Sequence, residues 1–125
     1  MALPDLGIDE IKAKVDTGAR TSALHAVRLT TARKDSIDVV RFSVHPQQRR
    51  TRPSVRCEAP LVDERYVRSS DGARKLHPVM TTTIQVSDDA WAIELTLTDR
   101  AMMDFRLLLG RRAIRRRFIV DPDKS

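Results

Sequence analysis

The triplet Asp16-Thr17-Gly18 constrains the fold of this chain more than any other stretch. It follows the segment from Ile11 to Val15, whose apolar and polar residues alternate as in a half-buried β-strand. Gly18 allows the backbone to turn where a side chain would clash, and Asp16 is the ionisable group of the turn. The triplet alone is weak evidence, because its three residue types are common in turns of unrelated domains.

A second stretch near the other end of the chain gives the triplet more weight. The apolar run from Leu107 to Leu109 ends at Gly110, and Arg111 begins a short segment with helical character. Two such stretches, in this order and at this separation, resemble the paired signature of aspartic proteases of the retroviral type. With both present, we favour a protease-like site over a purely structural turn.

The chain resembles the retropepsin-like bacterial domains that carry the name ATP-dependent zinc protease and are often linked to the ribosomal-protein glutamate ligase. The resemblance covers nearly the whole chain, and its first block is the most specific. The matching stretches are Lys14 to Ala26, Val67 to Gly72 with Pro78 and Val79, Leu97 to Arg100 with Met103, Leu108 to Arg111, and Phe118 to Pro122. It implies an all-β, closed barrel of the acid-protease type with one short helix near the C-terminus.

The pattern of short strands agrees with that fold. The segments Ile37–Val44 and Trp91–Leu97 predict strands, the second by strict alternation of apolar and polar residues. Thr21–Leu29 is predicted as one return strand, followed by a turn over Ala32–Ser36. A helix is predicted only at Arg111–Arg117. Many short strands with little helix favour a closed or partly closed β-barrel.

Composition limits the partners and the compartment. The 125 residues are assigned to one domain, 1–125, with a modest core. A net charge of +6 favours acidic partners, such as nucleic acid, an acidic peptide or an anionic surface, and simple solubility is the alternative. The single cysteine, Cys57, excludes an intrachain disulfide and fits a reducing, cytoplasmic compartment. No apolar run approaches the ~20 residues that span a membrane, and no leader is visible, so no membrane partner is expected.

The chemistry of the triplet requires a partner subunit. Aspartic proteolysis needs two carboxylates sharing one proton, one ionised and one protonated. This chain carries a single copy of the triplet, so we expect a homodimer with Asp16 contributed by each subunit. By resemblance, the Thr17 hydroxyls brace the two turns, Gly18 lets the substrate backbone approach, and Leu108 to Gly110 pack beneath the turn. The catalytic set is therefore Asp16, Thr17 and Gly18.

The segment from about residue 55 to residue 86 would form a flap over the cleft. Val55–Val62 is predicted as a weak strand interrupted at Pro60, and a Thr-rich strand follows at Pro78–Val86. Between them, Ser69, Ser70, Asp71 and Gly72 carry a strong turn signal and are assigned to substrate binding at the flap tip. An ordinary surface hairpin is the alternative.

Two arginines near the turn suggest a substrate preference. The viral enzymes place an acid after their Asp-Thr-Gly-Ala turn, where it pairs with a later arginine, whereas here Arg20 follows Ala19. We assign Ala19, Arg20 and Arg111 to substrate binding. The counterparts of the two cations are either acids of this chain or acids of the substrate, which suggests Glu-rich or Asp-rich peptides. The acids that could supply them from within are Glu58, Asp63, Glu64 and Asp71.

The residues support neither the zinc nor the ATP in the name of the resembled domains. There is no His-Glu-x-x-His helix, and His25, His45, His77 and Cys57 are scattered rather than spaced as ligands. No glycine-rich phosphate loop with its lysine occurs. We expect no metal and no cofactor, and we interpret His25 as a structural histidine.

Two other functions stay open beside peptide-bond hydrolysis by a homodimer. One is a non-catalytic module of the same fold that binds a peptide or protein. The other is a basic domain associated with nucleic acid or the ribosome, because five arginines fall within Arg111–Arg117. Charge runs are more often solvated helix faces, and one Trp, one Tyr and three Phe make no stacking platform. Nucleic acid is therefore not the expected partner.

Overall fold

The computed structural model describes residues 1–46, 54–68, 72–98 and 105–114, with residues 67 and 68 described by their backbone alone. Nearly all regular structure in them is β-strand. The elements are β1 (Ala13–Asp16), β2 (Ser22–His25), β3 (Val27–Lys34), β4 (Ile37–Val44), β5 (Val55–Arg68), β6 (Arg74–Val86), β7 (Asp89–Thr98), β8 (Leu107–Gly110) and the helix α1 (Arg111–Ile114). A single 3₁₀ turn, Pro4–Leu6, precedes β1.

The strands form one eight-stranded sheet in the order β1-β8-β2-β7-β6-β5-β4-β3. Strands β1 and β8 pair in parallel, as do β2 and β7, while the other neighbours are antiparallel. The predicted all-β fold with a short helix after Gly110 is confirmed. In the described part of the chain the order stays open between β1 and β3, so the expected closure of the barrel is not seen there.

The core is aliphatic, with Phe42 as its one fully buried aromatic side chain among the described residues. The strand predicted for Trp91–Leu97 is confirmed, and Ile93, Leu95 and Leu97 are buried, but the alternation ends at Thr96, which is buried as well. The segment before β1 also contributes to the core, through Leu3, Leu6, Ile8 and Ile11. Two backbone hydrogen bonds between Ala2 and Gln85, each 2.9 Å, attach this segment to β6.

Strand β5 differs from its prediction. Pro60 does not interrupt it, and the strand runs for 14 residues. Its first half, through Pro60, pairs with β4, and its second half pairs with β6 after a register shift between Leu61 and Asp63. Proline lacks the N–H that a ladder uses and is tolerated at edges and irregular positions. The change of pairing partner beside Pro60 supplies such a position.

The prediction for residues 21–36 is also corrected. The single return strand is two strands, β2 and β3, which part at Ala26. The predicted turn over Ala32–Ser36 begins later, since β3 continues to Lys34 and only Asp35 and Ser36 turn, both with positive φ. Positive φ at both central residues matches the twist of a two-residue hairpin. Among the described residues, no helix is long and apolar enough to cross a membrane.

Candidate active site

The turn with Asp16 lies directly beside the Leu-Leu-Gly stretch, as the sequence predicted. In the parallel β1–β8 ladder, Val15 is opposite Leu109 and Asp16 is opposite Gly110. A Cβ atom on Gly110 would stand 2.4 Å from the carbonyl oxygen of Thr21 and 2.9 Å from that of Ala19. Glycine is therefore required at this position by close approach of two backbone segments.

Hydrogen bonds within the turn hold the Asp16 carboxylate. The N–H of Gly18 donates to Asp16 Oδ1 at 3.0 Å, and the N–H of Ala19 donates to the Asp16 carbonyl at 3.1 Å. Within the described residues, Oδ2 has no such partner. Asp16 is half-buried, whereas Thr17 and Gly18 are exposed. The carboxylate is thus oriented by the backbone and remains accessible from solvent, as a general acid or base must be.

The residues after Asp16 are joined to the residues after Gly110 by further bonds. The N–H of Arg111 donates to the Ala19 carbonyl at 2.8 Å, and the N–H of Arg112 donates to the Arg20 carbonyl at 3.2 Å. The N–H of Gly110 donates to the buried hydroxyl of Ser22 at 2.9 Å. Sequence reasoning assigned Ser22 no role, because its partner lies 88 residues away.

The side chains of Arg20 and Arg111 are both exposed, and neither forms a salt bridge with any residue that the structure describes. Three of the acids considered as counterparts lie in that part of the chain. Glu58 binds Lys34 and Arg41 instead, at 3.3 and 2.7 Å. Asp63 lies 3.7 Å from Arg65, and Glu64 joins neither cation. Asp71 lies outside the described residues.

Hydrogen bonds from Arg41 and then Lys34 lower the pKa of Glu58. Both partners favour the ionised carboxylate by donating to it. Glu58 therefore forms its salt bridges with Arg41 on β4 and Lys34 on β3, and it does not pair with the arginines beside the active turn.

The predicted flap corresponds to a long hairpin of β5 and β6. Beyond the part of β6 that pairs with β7, the two arms pair only with each other, from Glu64–Pro78 to Arg68–Arg74. Gly72 lies near its tip, exposed and with φ of +86°. Ser69, Ser70 and Asp71 lie outside the described residues.

Two side-chain contacts attach the arms of the hairpin to β7. Arg65 reaches Glu94 at 2.8 Å, and the Nδ1–H of buried His77 donates to the Leu97 carbonyl at 3.0 Å. These two contacts add to the β6–β7 ladder in holding the hairpin beside β7. Both contacts cross from one strand to another far along the chain, and the sequence carried no local sign of either.

The cysteine and the histidine beside the turn do not form a second centre. Burial raises the pKa of the Cys57 thiol to about 11, so it stays protonated near pH 7 and is a poor nucleophile. His25 is buried and accepts a hydrogen bond at Nδ1 from Arg106, at 3.2 Å. In the ranges that the structure describes, no group of three His, Cys, Asp or Glu side chains is placed to hold a metal ion.

The helix after Gly110 is held by the one tryptophan of the chain. The indole N–H of half-buried Trp91 donates to the Ala113 carbonyl at 2.7 Å. This bond sets the position of Arg111 and Arg112 beside the turn. Trp91 was predicted only as a strand residue, and nothing in its alternating strand pattern marked this bond. The other arginines of the predicted basic helix, Arg115, Arg116 and Arg117, lie outside the described residues.

Comparison with known proteins gives one consistent result. The model of the family described as "RimB-like: Retropepsin-like aspartic endopeptidase RimB" matches residues 1–125. A probable alpha-L-glutamate ligase of Desulfotalea psychrophila is 44% identical over 121 residues, covering 97% of this chain and 26% of that protein. One of Shewanella pealeana is 43% identical over 124 residues, covering 99% of this chain and 27% of that protein. The chain thus spans about a quarter of these relatives.

A solved structure is also similar. The crystal structure of Lpg0085 from Legionella pneumophila, described as a protein of unknown function, superposes with a TM-score of 0.74 at 30% identity. The alignment covers 92% of this chain and 81% of that one. The agreement extends over most of both chains, so the two proteins share an overall fold.

Proposed function

Because this chain belongs to the RimB-like family of retropepsin-like aspartic endopeptidases, we propose that it hydrolyses peptide bonds by an aspartic mechanism as a homodimer. Each subunit supplies one Asp16. The ionised carboxylate of the pair takes a proton from the attacking water, and the protonated one donates towards the scissile carbonyl. Repulsion between the two carboxylates keeps them from ionising together and separates their apparent pKa values.

The observation that supports this proposal most is the geometry of the turn. The Asp16 carboxylate is oriented by the N–H of Gly18 and stands at the accessible surface, opposite Gly110, where a Cβ atom would meet two backbone carbonyls. The chemistry needs a second carboxylate, and a second copy of this turn is the natural source.

The surface beside Asp16 is suited to such an assembly. Val15 precedes the catalytic residue and is 47% exposed, although it is apolar. It lies on β1, which is at one end of the strand order. A short end strand with an exposed apolar side chain is a site where a second copy can pack. The Thr17 hydroxyls of two subunits would then brace the paired turns.

We further propose that the substrate is an acidic peptide or protein segment. The side chains of Arg20 and Arg111 flank the turn without a salt bridge to any described residue, so a substrate carboxylate would give them their partner. Ala19 and the flap residues Ser69, Ser70, Asp71 and Gly72 would contact the substrate backbone. The proposed unit is a single domain, residues 1–125, acting in the cytoplasm.

A second candidate is a non-catalytic module that binds peptides. The observation in its favour is that the chain matches about a quarter of proteins named probable alpha-L-glutamate ligase. In those proteins a domain of this kind could hold an acidic segment for the rest of the chain. The two candidates share the fold and the arginines and differ in whether Asp16 reacts.

The deciding experiment is cleavage of a Glu-rich peptide and of its Gln-substituted match, from acid to neutral pH, with and without a metal chelator. We expect Asp16→Asn to abolish cleavage and Asp89→Asn, which changes an exposed aspartate on β7, to leave it intact. Arg20→Ala should reduce cleavage of the Glu-rich peptide alone. Activity that survives in Asp16→Asn, or that the chelator removes, contradicts the aspartic mechanism. Binding without cleavage under every condition supports the second candidate.

A further inference from the structure

A cavity of about 330 Å³ lies beside the active turn, between the start of β2, the middle of β7 and α1. Its walls include Thr21, Trp91, Glu94 and Arg112, and Arg65 reaches it from the hairpin. Cavities of this size are at the lower end of those that hold small molecules. The proposed peptidase mechanism does not use it.

The charges around the cavity do not balance. Of the charged side chains that line it, Arg65 is paired with Glu94 at 2.8 Å, so these two charges offset each other. The guanidinium of Arg112 has no salt bridge or hydrogen bond to any residue that the structure describes. The cavity therefore has one surplus positive charge, and an anion that entered it would be attracted electrostatically.

The other walls select the kind of anion. Trp91, Ile93 and Ala113 give it apolar surface for a short carbon chain, and Thr21, which also lines it, carries a hydroxyl that can donate a hydrogen bond. A phosphate carries more than one negative charge on a single centre near pH 7, whereas the cavity has only one surplus positive charge. A carboxylate matches the planar fork of an arginine with one unit of charge.

The cavity also adjoins the bonds that shape the active turn. The N–H of Arg112 donates to the Arg20 carbonyl, and Thr21 is the next residue. The hydroxyl of Ser22 receives the N–H of Gly110, which is opposite Asp16 in the β1–β8 ladder. A ligand that joined Thr21 to Arg112 would hold together the same two segments and so stabilise the turn.

We propose that this cavity is a carboxylate-binding site in which Arg112 is the anchoring charge and Thr21 a second donor. The site stands independently of whether Asp16 is catalytic. The carboxylate has two possible sources: a free small carboxylic acid, or an acidic side chain of a peptide bound at the active turn.

The test uses the full 125-residue chain carrying Asp16→Asn, so that no peptide is consumed. Glutarate is the probe, and the readout is the fluorescence of Trp91, which is the only tryptophan of the chain and lines the cavity. We expect a saturable change. Arg112→Gln should weaken binding at least tenfold and Thr21→Val about threefold, in keeping with a charged and a neutral hydrogen bond.

The matched control is Arg33→Gln, which removes the same charge from an exposed position on β3, at the other end of the strand order. It should leave glutarate affinity unchanged. The proposal would be overturned if Arg112→Gln bound glutarate as tightly as the chain with Arg112 intact. It would also be overturned if glutarate caused no saturable fluorescence change in a chain that unfolds cooperatively. Loss of binding in the control as strong as in Arg112→Gln would reduce the effect to net charge and would also overturn it.

A competition experiment distinguishes the two sources of the carboxylate. A Glu-rich peptide that displaces glutarate, when its Gln-substituted match does not, identifies the substrate side chain as the occupant. Glutarate that binds together with the Glu-rich peptide identifies a free acid as the occupant. If glutarate binds and the wild-type protein cleaves no peptide, the carboxylate site is supported and the peptidase is rejected. If the wild-type protein cleaves peptides and glutarate does not bind, the peptidase is supported and the carboxylate site is rejected.

Discussion

Around Asp16, strands of four residues pair in short ladders and are tied further by hydrogen bonds between distant parts of the chain, whereas the β5–β6 hairpin joins strands of 14 and 13 residues through a longer ladder. The turn depends on a glycine with no room for one more atom. The hairpin exposes apolar side chains, with Tyr66 63% and Leu76 43% exposed. Close packing makes the first region sensitive to small changes, and backbone pairing makes the second tolerant of them.

The largest difference between the two regions is expected at their glycines. We predict that Gly110→Ala lowers the free energy of unfolding by about 3 kcal/mol, since two backbone carbonyls must move away from the new Cβ atom. Gly72→Ala should cost only about 1 kcal/mol, because no described residue lies within 4 Å of the new Cβ atom and the positive φ alone is strained. Urea denaturation measures both, and equal losses would contradict the comparison.

Buried hydroxyls give the next test. Ser22→Ala removes the acceptor of the Gly110 N–H and should cost about 1–3 kcal/mol by leaving that group unpaired. Thr82 on β6 is also buried, but its hydroxyl has no partner among the described residues. Thr82→Val should therefore be neutral or stabilising in the same denaturation experiment. A loss for Thr82→Val as large as that for Ser22→Ala would mean that burial, not the hydrogen bond, sets the cost.

A smaller, pH-dependent effect is expected where β5 pairs with β4. Arg41 and Lys34 lower the pKa of Glu58 in the folded protein, so Glu58 binds a proton more readily in the unfolded chain. Its stabilising contribution is present above the unfolded pKa and is lost as the pH falls through the folded pKa. Thermal unfolding from neutral to acid pH should show a shallower decline in Tm for Glu58→Gln. An unchanged slope would show that the pair contributes nothing measurable, as many exposed pairs do.

The smallest effect is predicted on the outer side of the hairpin. Leu76 lies opposite Tyr66 in the β5–β6 ladder and is largely exposed. Leu76→Thr keeps a residue suited to strands and should change the free energy of unfolding by no more than about 0.5 kcal/mol. A larger loss, measured by the same denaturation, would show that this side of the hairpin is covered in solution.

Sequence reasoning identified the residues of the turn and the stretch beside it because both depend on local chemistry. The tight turn at Gly18 and the apolar run ending at Gly110 each leave a pattern within a few residues, whereas the alternation over Ile11–Val15 predicted the strand only roughly, since β1 begins at Ala13 and Val15 is exposed. The alternation over Trp91–Leu97 predicted a strand for the same reason. Predictions from local sequence were wrong where pairing with a strand distant in sequence decided the conformation. Pro60 reads as a break, but a strand that changes from one neighbour to another accommodates it.

The sequence by itself determined an all-β chain with one aspartate presented on a glycine turn, because backbone conformation and alternation are local properties. Only the tertiary structure decided which groups meet: Ser22 with Gly110, Arg65 with Glu94, and Trp91 with Ala113. It also decided that Glu58 is taken by Arg41 and Lys34, leaving Arg20, Arg111 and Arg112 without a salt bridge to any described residue. Such pairings depend on strand order and register, which the whole sheet sets at once and no single stretch encodes.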